Sequence, residues 1–549
     1  MRTSRLVLVS LLVGAVACDD LEVSNLNSPN RETVVNSPQD VLALISNGLL
    51  QWFNRSGGTS PGVALSVMAD EFSTGFADFG GQDLSREPRE AINNGVPPNN
   101  APPHHATWPD HYNNIAALNT ALQVVALRDL TLRNSAGQDV TTEALAFAKF
   151  VQGLNHGSLA LMFDQAYVYS ETVEPNTLGT EAVKALIRPY REVMDTALAE
   201  LNEALQLAGS KTFSYPITAP NLWFLGFART DQDLVRLIHT YIARFMVYVA
   251  RTPTERQAVN WDQVIQHIDR GITSDFAVNG VVDVVQSSFK NRAARQRTVT
   301  PGDFMRVDYR LVGPADQGAG FMNWYALPWA QRAPFRMTSV QDRRIDGLTA
   351  RPTTCQQAPA SASCGLYMGH HNSTVFAVDR GLGQRSFYFF HRYGQGTSWQ
   401  SGPIPLVNVA ELELLKAEGL IRLNRAAEAV DLINKYRANG QLPLVTINGV
   451  PGTAPNCTPR KQNGACGSLW DALRYEKRIE TLGLEGGPAY YDARGWNFLV
   501  ENTPIHFPIP RRDAELLGLQ IYTFGGAGGT GGAPVPNWEV CPVTLPNCP

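Results

Sequence analysis

The chain runs to 549 residues, of which 44% are hydrophobic and 17% charged, with 46 Gly and 35 Pro; this balance excludes a coiled coil and a disordered chain. A formal net charge of −4 is close to neutral for this size and argues against nucleic acid as a partner. The length accommodates roughly three domains or one large composite one.

Residues 1–20, MRTSRLVLVSLLVGAVACDD, have the layout of an export signal. Arg2 and Arg5 precede an apolar run over 6–13, and small residues then lead to Cys18. The run is too short to remain as a bilayer-spanning helix, which needs roughly 20 apolar residues. Ala15-Val16-Ala17 suits an ordinary signal peptidase, and the cysteine after it resembles a bacterial lipobox, although Ala15 stands where lipoboxes usually carry Leu. Either reading cuts before Cys18 and sends the chain out of the cytoplasm; in the lipobox reading the Cys18 thiol carries the lipid.

Ser37 and Pro38 mark the first helix start, and Val41, Leu42, Leu44, Ile45, Leu49 and Trp52 recur at helical spacing. The stretch 55–62 (RSGGTSPG) ends that helix; a second is predicted over 63–72, and 75–105 reads as a long loop. Tyr112, Ile115, Leu118, Leu122 and Val125 put one apolar face on a helix over 108–127. Further helices are predicted over 142–162, 190–207, 233–250 and 261–272, arranged as antiparallel hairpins with spacers of varied length. From 279 to 405 the helical period disappears into Gly, Pro, Arg and aromatics, with short strand-like runs such as 386–390. Irregular segments this long are more often functional than idle. Helices return over 407–423 and 426–436, a tight hairpin that resembles a tetratricopeptide unit, and a last strong helix is predicted over 469–484. The predicted architecture is mainly α: a solenoid of tetratricopeptide-like helical hairpins with a large irregular, aromatic-rich insertion region.

Six cysteines besides Cys18 fall into three local couples, Cys355 with Cys364, Cys457 with Cys466, and Cys541 with Cys548. An even number in an exported chain suggests disulfides, although the sequence alone leaves other connectivities open. No CxxC occurs, which argues against a zinc cage.

The order of these features resembles the SusD/RagB family of outer-membrane nutrient-binding lipoproteins. The resemblance rests on the lipobox-like start, the helix over 108–125, the 407–437 hairpin and above all a closing signature. Arg474, Glu476, Arg478, Glu480, Leu484-Glu485-Gly486, Tyr490-Tyr491-Asp492 and Arg494 are similar to the family's RxERxxEL…EGxRxxDxxR segment. Residues 504–510, PIHFPIP, are similar to its PIP ending. Lys477 and Thr481 depart from the motif's Arg and Leu, Gly487-Pro488 alters its basic position, and 280–400 matches only loosely. The resemblance implies a signal peptide over 1–17, a lipidated tether over 18–36, N-terminal helical hairpins over 37–278 and an irregular ligand-facing region over 279–405. A C-terminal hairpin, signature and disulfide-bearing tail would occupy 406–549. It also implies a surface-exposed, outer-membrane, lipid-anchored protein without catalysis. Such a protein binds oligosaccharide or peptide and delivers it to a TonB-dependent β-barrel transporter (SusC-like), with no cofactor. Two other classes stay open: an exported α-helical glycoside hydrolase, and a helical-repeat scaffold for other surface proteins.

Motifs with a catalytic look fail on mechanism. Gly58-Thr59-Ser60-Pro61-Gly62 matches GxSxG, but a nucleophile elbow needs a backbone N–H after the serine, and Pro61 has none. The GxGxxG at 526–531 is flanked by glycine and proline and reads as a linker. His104, His105 and His111 read as loop or cap histidines; a helix beginning near Trp108 scatters them over different faces. Acids at Asp70, Glu71 and Asp78 could pair as a glycosidase acid and base, surface carboxylates being the commoner case. The aromatic-rich segments remain: Phe321, Trp324, Tyr325 and Trp329 in one, Tyr388 and Tyr393 in another, and Phe72 and Phe76 beside Asp70 in a third. Sugar rings stack on exposed aromatic faces, so these are the candidate ligand contacts. The competing reading is that many of the rings fill the core.

Overall fold

The computed structural model describes residues 37–56, 59–74, 81–87, 89, 91–95, 103–173, 178–216, 223–279, 305–355, 358, 360–372, 386–393, 403–484 and 486–524. Cys18, Phe76, Asp78, the glycine-rich 526–531 and the Cys541/Cys548 couple lie outside them.

Helix α1 (Pro38–Ser46) starts where the sequence places it. The Ser37 side chain accepts the Asp40 N–H at 3.2 Å, and the Asp40 carboxylate accepts the Ser37 N–H at 3.0 Å, a reciprocal cap. The single helix expected through Trp52 is broken at Asn47, and α2 (Gly48–Ser56) continues beyond it. A Cβ on Gly48 would stand 3.2 Å from Leu118 and 3.3 Å from Val151, so the small residue lets the turn press against the helices beneath. The expected 63–72 helix is shorter. A π turn at Thr59–Val63 leads into α-helix over only Ala64–Met68. Asp70 then enters the left-handed region (φ 54), and strand β1 (Phe72–Thr74) follows.

Helix α3 (His104–Arg128) begins a turn earlier than its apolar face suggests and carries Pro109 inside it. A proline there costs only the bond to the His105 carbonyl, near the helix start. Helix α4 (Thr141–Met162) is buried along nearly its whole length and packs between α3, α5 (Tyr190–Ala208) and α6 (Asp231–Tyr248). Gly153 and Gly157 make this possible: a Cβ would meet Leu201 of α5 at 2.7 Å and the Phe245 ring of α6 at 2.1 Å. Thr230 and Asp233 cap α6 reciprocally, and Asn260 caps α7 (Trp261–Asp269). Helices α8 (Val409–Arg422) and α9 (Ala426–Arg437) form the expected hairpin. Asn424 at φ 61 turns the chain between them. Then come α10 (Leu469–Glu480), capped by Ser468 and Asp471, and α11 (Pro488–Gly495).

Short antiparallel strands organise the irregular region. Strand β2 (Phe276–Asn279) pairs with β7 (Pro403–Val407), so the ends of the intervening stretch meet and it stands as an insertion on the helical frame. Within it β3 (Met305–Val307) pairs with β1, Phe72 opposite Val307. Strands β4 (Ser363–Cys364), β5 (Met368–His370) and β6 (Tyr388–Phe390) form a small sheet in the order β6-β5-β4. The Cys355–Cys364 and Cys457–Cys466 disulfides are both formed, each closing a local loop. Among the described residues no helix is long and apolar enough to cross a membrane.

The charged residues of α10 are not solvated: every residue of α10 is buried. Arg344 reaches Glu476 at 2.6 Å, Asp342 at 2.7 Å and Glu480 at 3.0 Å, and Arg437 reaches Glu476 at 3.1 Å. Lys477 pairs with Asp492 of α11 at 2.9 Å, and Arg256 bridges Asp492 and Glu418, each at 2.7 Å. Arg478 instead donates to the Ala69, Asp70 and Arg310 carbonyls. These are inter-element bonds in the interior. Charges can be buried there because each meets opposite charge or carbonyl oxygen. The signature thus ties the N-terminal helices, the insertion and the hairpin together.

Candidate functional site

The candidate ligand surface is built on a buried ionic frame. Asp308 caps the short helix Tyr309–Val312, its carboxylate accepting the Arg310 N–H at 2.7 Å. This aims the Arg310 guanidinium at Glu87 as a two-pronged pair of 2.7 and 2.8 Å. Arg332 binds the same carboxylate at 2.7 Å and also donates to the Leu327 and Tyr325 carbonyls at 3.1 and 3.2 Å. Burial works to raise the Glu87 pKa, but the two guanidinium groups outweigh it and hold the carboxyl down at about 2. The frame is therefore ionised, and its charges face one another.

Over this frame runs helix α12 (Gly320–Ala326), with a 3-10 turn at Trp329–Gln331 after it. Arg310 lies 4.8 Å from the Tyr325 ring centre, and Arg332 lies 4.6 Å from that of Trp324 and 5.3 Å from that of Tyr325. Arg310 also donates to the Tyr325 hydroxyl at 3.2 Å. Tyr325 and Trp329 are half-buried, and Leu327 between them is 40% exposed. Asn323 and Gln331 beside them are exposed. The result is a ledge of aromatic and aliphatic surface with neutral amides at its edges, held rigid from below.

The other candidate contacts fall elsewhere. Phe321 and Trp324 are buried, stacked on each other at 6.0 Å, with Trp324 also 4.9 Å from Tyr309. Tyr388 is fully buried between Tyr309 and His370, and Phe72 is buried against Phe390. Tyr393 is half-buried against Phe390 and Arg392, on a different strand system from the ledge. Asp70 is 4% exposed and bound to Arg89 at 2.6 Å. Burial of Phe321, Trp324, Tyr388 and Phe72, and the pairing of Asp70 with Arg89, count against these five as ligand contacts. Tyr325 and Trp329 are half-buried, on α12 and on the 3-10 turn that follows it.

The histidines serve the fold. Asn94 Oδ1 takes His104 Nε2 at 2.9 Å and His105 Nε2 at 3.1 Å, and Asn155 Oδ1 lies 2.9 Å from His111 Nδ1. Burial pushes the His104 pKa well down, so the ring is neutral at pH 7. Glu71 is buried and its carboxyl is pushed up to about 7 by desolvation, but Asp70 beside it is spent on Arg89. Among the described residues the group of three metal-capable side chains is Cys355, Cys364 and His391, two of which share a disulfide. Glu87, Arg310 and Arg332 carry no motif signal, because Glu87 and Arg310 stand 223 positions apart.

No protein-family model and no curated protein matches the chain. Among solved structures it is similar to a SusD superfamily protein from Bacteroides thetaiotaomicron VPI-5482, with a TM-score of 0.50 and 14% identity over 83% of this chain and 90% of that one. A laminarin binding SusD-like protein aligns at a TM-score of 0.48 and 16% identity, covering 89% and 99%. A SusD-like carbohydrate binding protein from Bacteroides vulgatus ATCC 8482 aligns at 0.46 and 14%, covering 93% of each. Together with the buried closing signature, the first of these alignments identifies the architecture: the chain has the SusD-like fold.

Proposed function

We propose that the protein is an exported, surface-exposed binding protein that takes up oligosaccharide on the ledge formed by Tyr325 and Trp329. The observation that supports this most is the half-buried Tyr325 ring over the Glu87–Arg310–Arg332 frame, with half-buried Trp329 in the following turn, where its carbonyl accepts the Arg332 N–H at 3.2 Å. Stacking on a sugar ring needs an aromatic face that does not move and a surface that is not otherwise charged. With two guanidinium groups on one carboxylate the frame keeps a net positive charge, but its side chains are 10% exposed or less, so the ledge itself offers ring faces and amide hydrogen bonds, which favours a neutral oligosaccharide over a charged peptide. Binding is reversible and no bond chemistry is assigned to the site.

The rest of the reading follows the sequence resemblance and the SusD-like fold. Cys18 would carry the lipid anchor after cleavage, and the helical hairpins would contact a TonB-dependent outer-membrane transporter that receives the ligand. An array of neutral, sulfated and uronate-bearing oligosaccharides, probed with the purified ectodomain, tests the binding. Retention of neutral glycans supports the reading. Retention of charged ligands alone, or of none, contradicts it.

A further inference from the structure

The disulfide loop that precedes α10 reaches across to the insertion where α12 begins. Cys457 and Cys466 close that loop. Inside it the chain folds back on itself. Arg460 stands opposite Cys466 in an antiparallel bridge, the Lys461 N–H donates to the Ala465 carbonyl at 2.8 Å, and the Gly467 N–H donates to the Pro459 carbonyl at 3.0 Å. The disulfide therefore ties two arms of a tight turn, with Arg460 on one of them. Cys457 is buried and Cys466 half-buried.

Arg460 docks on the backbone between the ionic frame and the ledge. Its N–H donates to the Pro314 carbonyl at 2.9 Å, and its Nη1 donates to the Asp316 carbonyl at 3.0 Å and the Gly318 carbonyl at 2.7 Å. Pro314 follows directly on the Tyr309–Val312 helix that aims Arg310. Asp316 and Gly318 lead into α12, and the Asp316 carboxylate accepts the Gly318 N–H at 2.9 Å and the Phe321 N–H at 2.8 Å, which fixes the first turn of that helix. On its other side the same segment is held by the Gln317 N–H, which donates to the Ser339 carbonyl at 2.9 Å. Arg460 is thus one of two brackets that place α12, and its guanidinium bonds are of the stronger, charge-assisted kind.

We propose that Arg460 is a positioning residue for the ledge and that the Cys457–Cys466 disulfide keeps it in place, so that opening this disulfide lowers the affinity of the ledge for its ligand. The proposal rests on the reading of Tyr325 and Trp329 as an oligosaccharide site. Arg460 acts through Asp316 and Gly318, and α12 carries their placement on to Tyr325. Stacking rewards a surface that is already in place, and any ordering left to the moment of binding subtracts from affinity. Without the cross-link, open states of the turn no longer keep Cys457 and Cys466 together. They gain chain entropy, and Arg460 leaves its carbonyls more often.

The test pairs hydrogen exchange with titration of a neutral oligosaccharide on the intact ectodomain. The variants are Arg460→Ala, Arg460→Lys, the double replacement Cys457→Ser/Cys466→Ser, and Gly157→Ala as a destabilised control far from the ledge. Amides over 318–331 should exchange at least about tenfold faster in Arg460→Ala and in the double replacement, and at the wild-type rate in Gly157→Ala. The first two should bind the sugar about 3- to 10-fold more weakly, with Gly157→Ala unchanged. Arg460→Lys keeps a charged donor and should recover part of both losses. If the double replacement does not fold, Arg460→Ala decides alone. Unchanged exchange over 318–331 in Arg460→Ala, or undiminished affinity despite faster exchange, would overturn the proposal and leave the ledge standing. Absence of sugar binding by the wild-type protein would be the failure of the ledge itself, and would take the proposal with it.

Discussion

Gly157 of α4 lies against the ring of Phe245 of α6: a Cβ added there would come within 2.1 Å of one ring carbon and 2.3 Å of the next. The central helix can be buried on several sides because its neighbours approach to backbone distance at this point. Gly157→Ala should therefore destabilise the protein by about 1–3 kcal/mol through overpacking. Gly179, where a Cβ would meet nothing within 4 Å, is the control and should tolerate Ala. Thermal unfolding of the two variants checks this; equal melting temperatures would count against the packing.

Arg344 touches three buried carboxylates, those of Asp342, Glu476 and Glu480. Arg344→Ala would leave Asp342 without its counter-charge and Glu476 and Glu480 with Arg437 and Arg392 alone, at a cost of about 3–5 kcal/mol. Arg344→Lys should recover only part of that, because an ammonium cannot reproduce the planar fork. Denaturant titration of both variants measures the difference.

Two carboxyls should give opposite pH signatures. Desolvation lifts Glu71 from 4.5 to about 7 in the fold. Its contribution is fully present below 4.5 and is lost as pH rises through about 7. The stability of the wild type relative to Glu71→Gln should therefore fall over that interval. Glu87 is held at about 2 by Arg310 and Arg332 despite its burial. Its contribution is present above 4.5 and lost as pH falls toward 2, so relative to Glu87→Gln the wild type should lose its advantage on acidification. Melting curves of both pairs against pH carry the test; parallel curves would contradict it.

The neighbouring rings Trp324 and Trp329 should separate cleanly. Trp324 is 3% exposed, and Trp324→Ala should cost about 3–5 kcal/mol of stability, as core truncations of large aromatics do. Trp329→Ala should unfold at nearly the wild-type temperature. On the proposed function it should lower oligosaccharide affinity by about 1–2 kcal/mol, roughly 5- to 30-fold.

The helices were legible because their ends are written locally. Ser37 with Asp40, Thr230 with Asp233 and Ser468 with Asp471 each mark a start within four residues. The closing signature was legible as a pattern, and the structure explains its charges: Glu476, Lys477 and Glu480 meet Arg344, Asp492 and Arg392 from elsewhere in the chain. No local rule announces such partners, so a buried ionic helix and a solvated one look alike in sequence. The aromatic clusters were legible as clusters but not by face. Phe321 and Trp324, three apart on α12, turn inward together, while Tyr325, one residue on, rotates outward onto the ledge. The first helix was read as continuous because the apolar period runs through Gly48; the break depends on Leu118 and Val151 pressing on it.

The most direct test of the central claim is calorimetric titration of a neutral oligosaccharide, selected from the array, into the wild-type ectodomain and into the folded Tyr325→Ala/Trp329→Ala variant, with the sugar recovered afterwards. The account predicts saturable binding to the wild type, loss of at least about tenfold in affinity on the variant, and recovery of the sugar intact. Undiminished binding by the double variant, or a cleaved sugar, would contradict it.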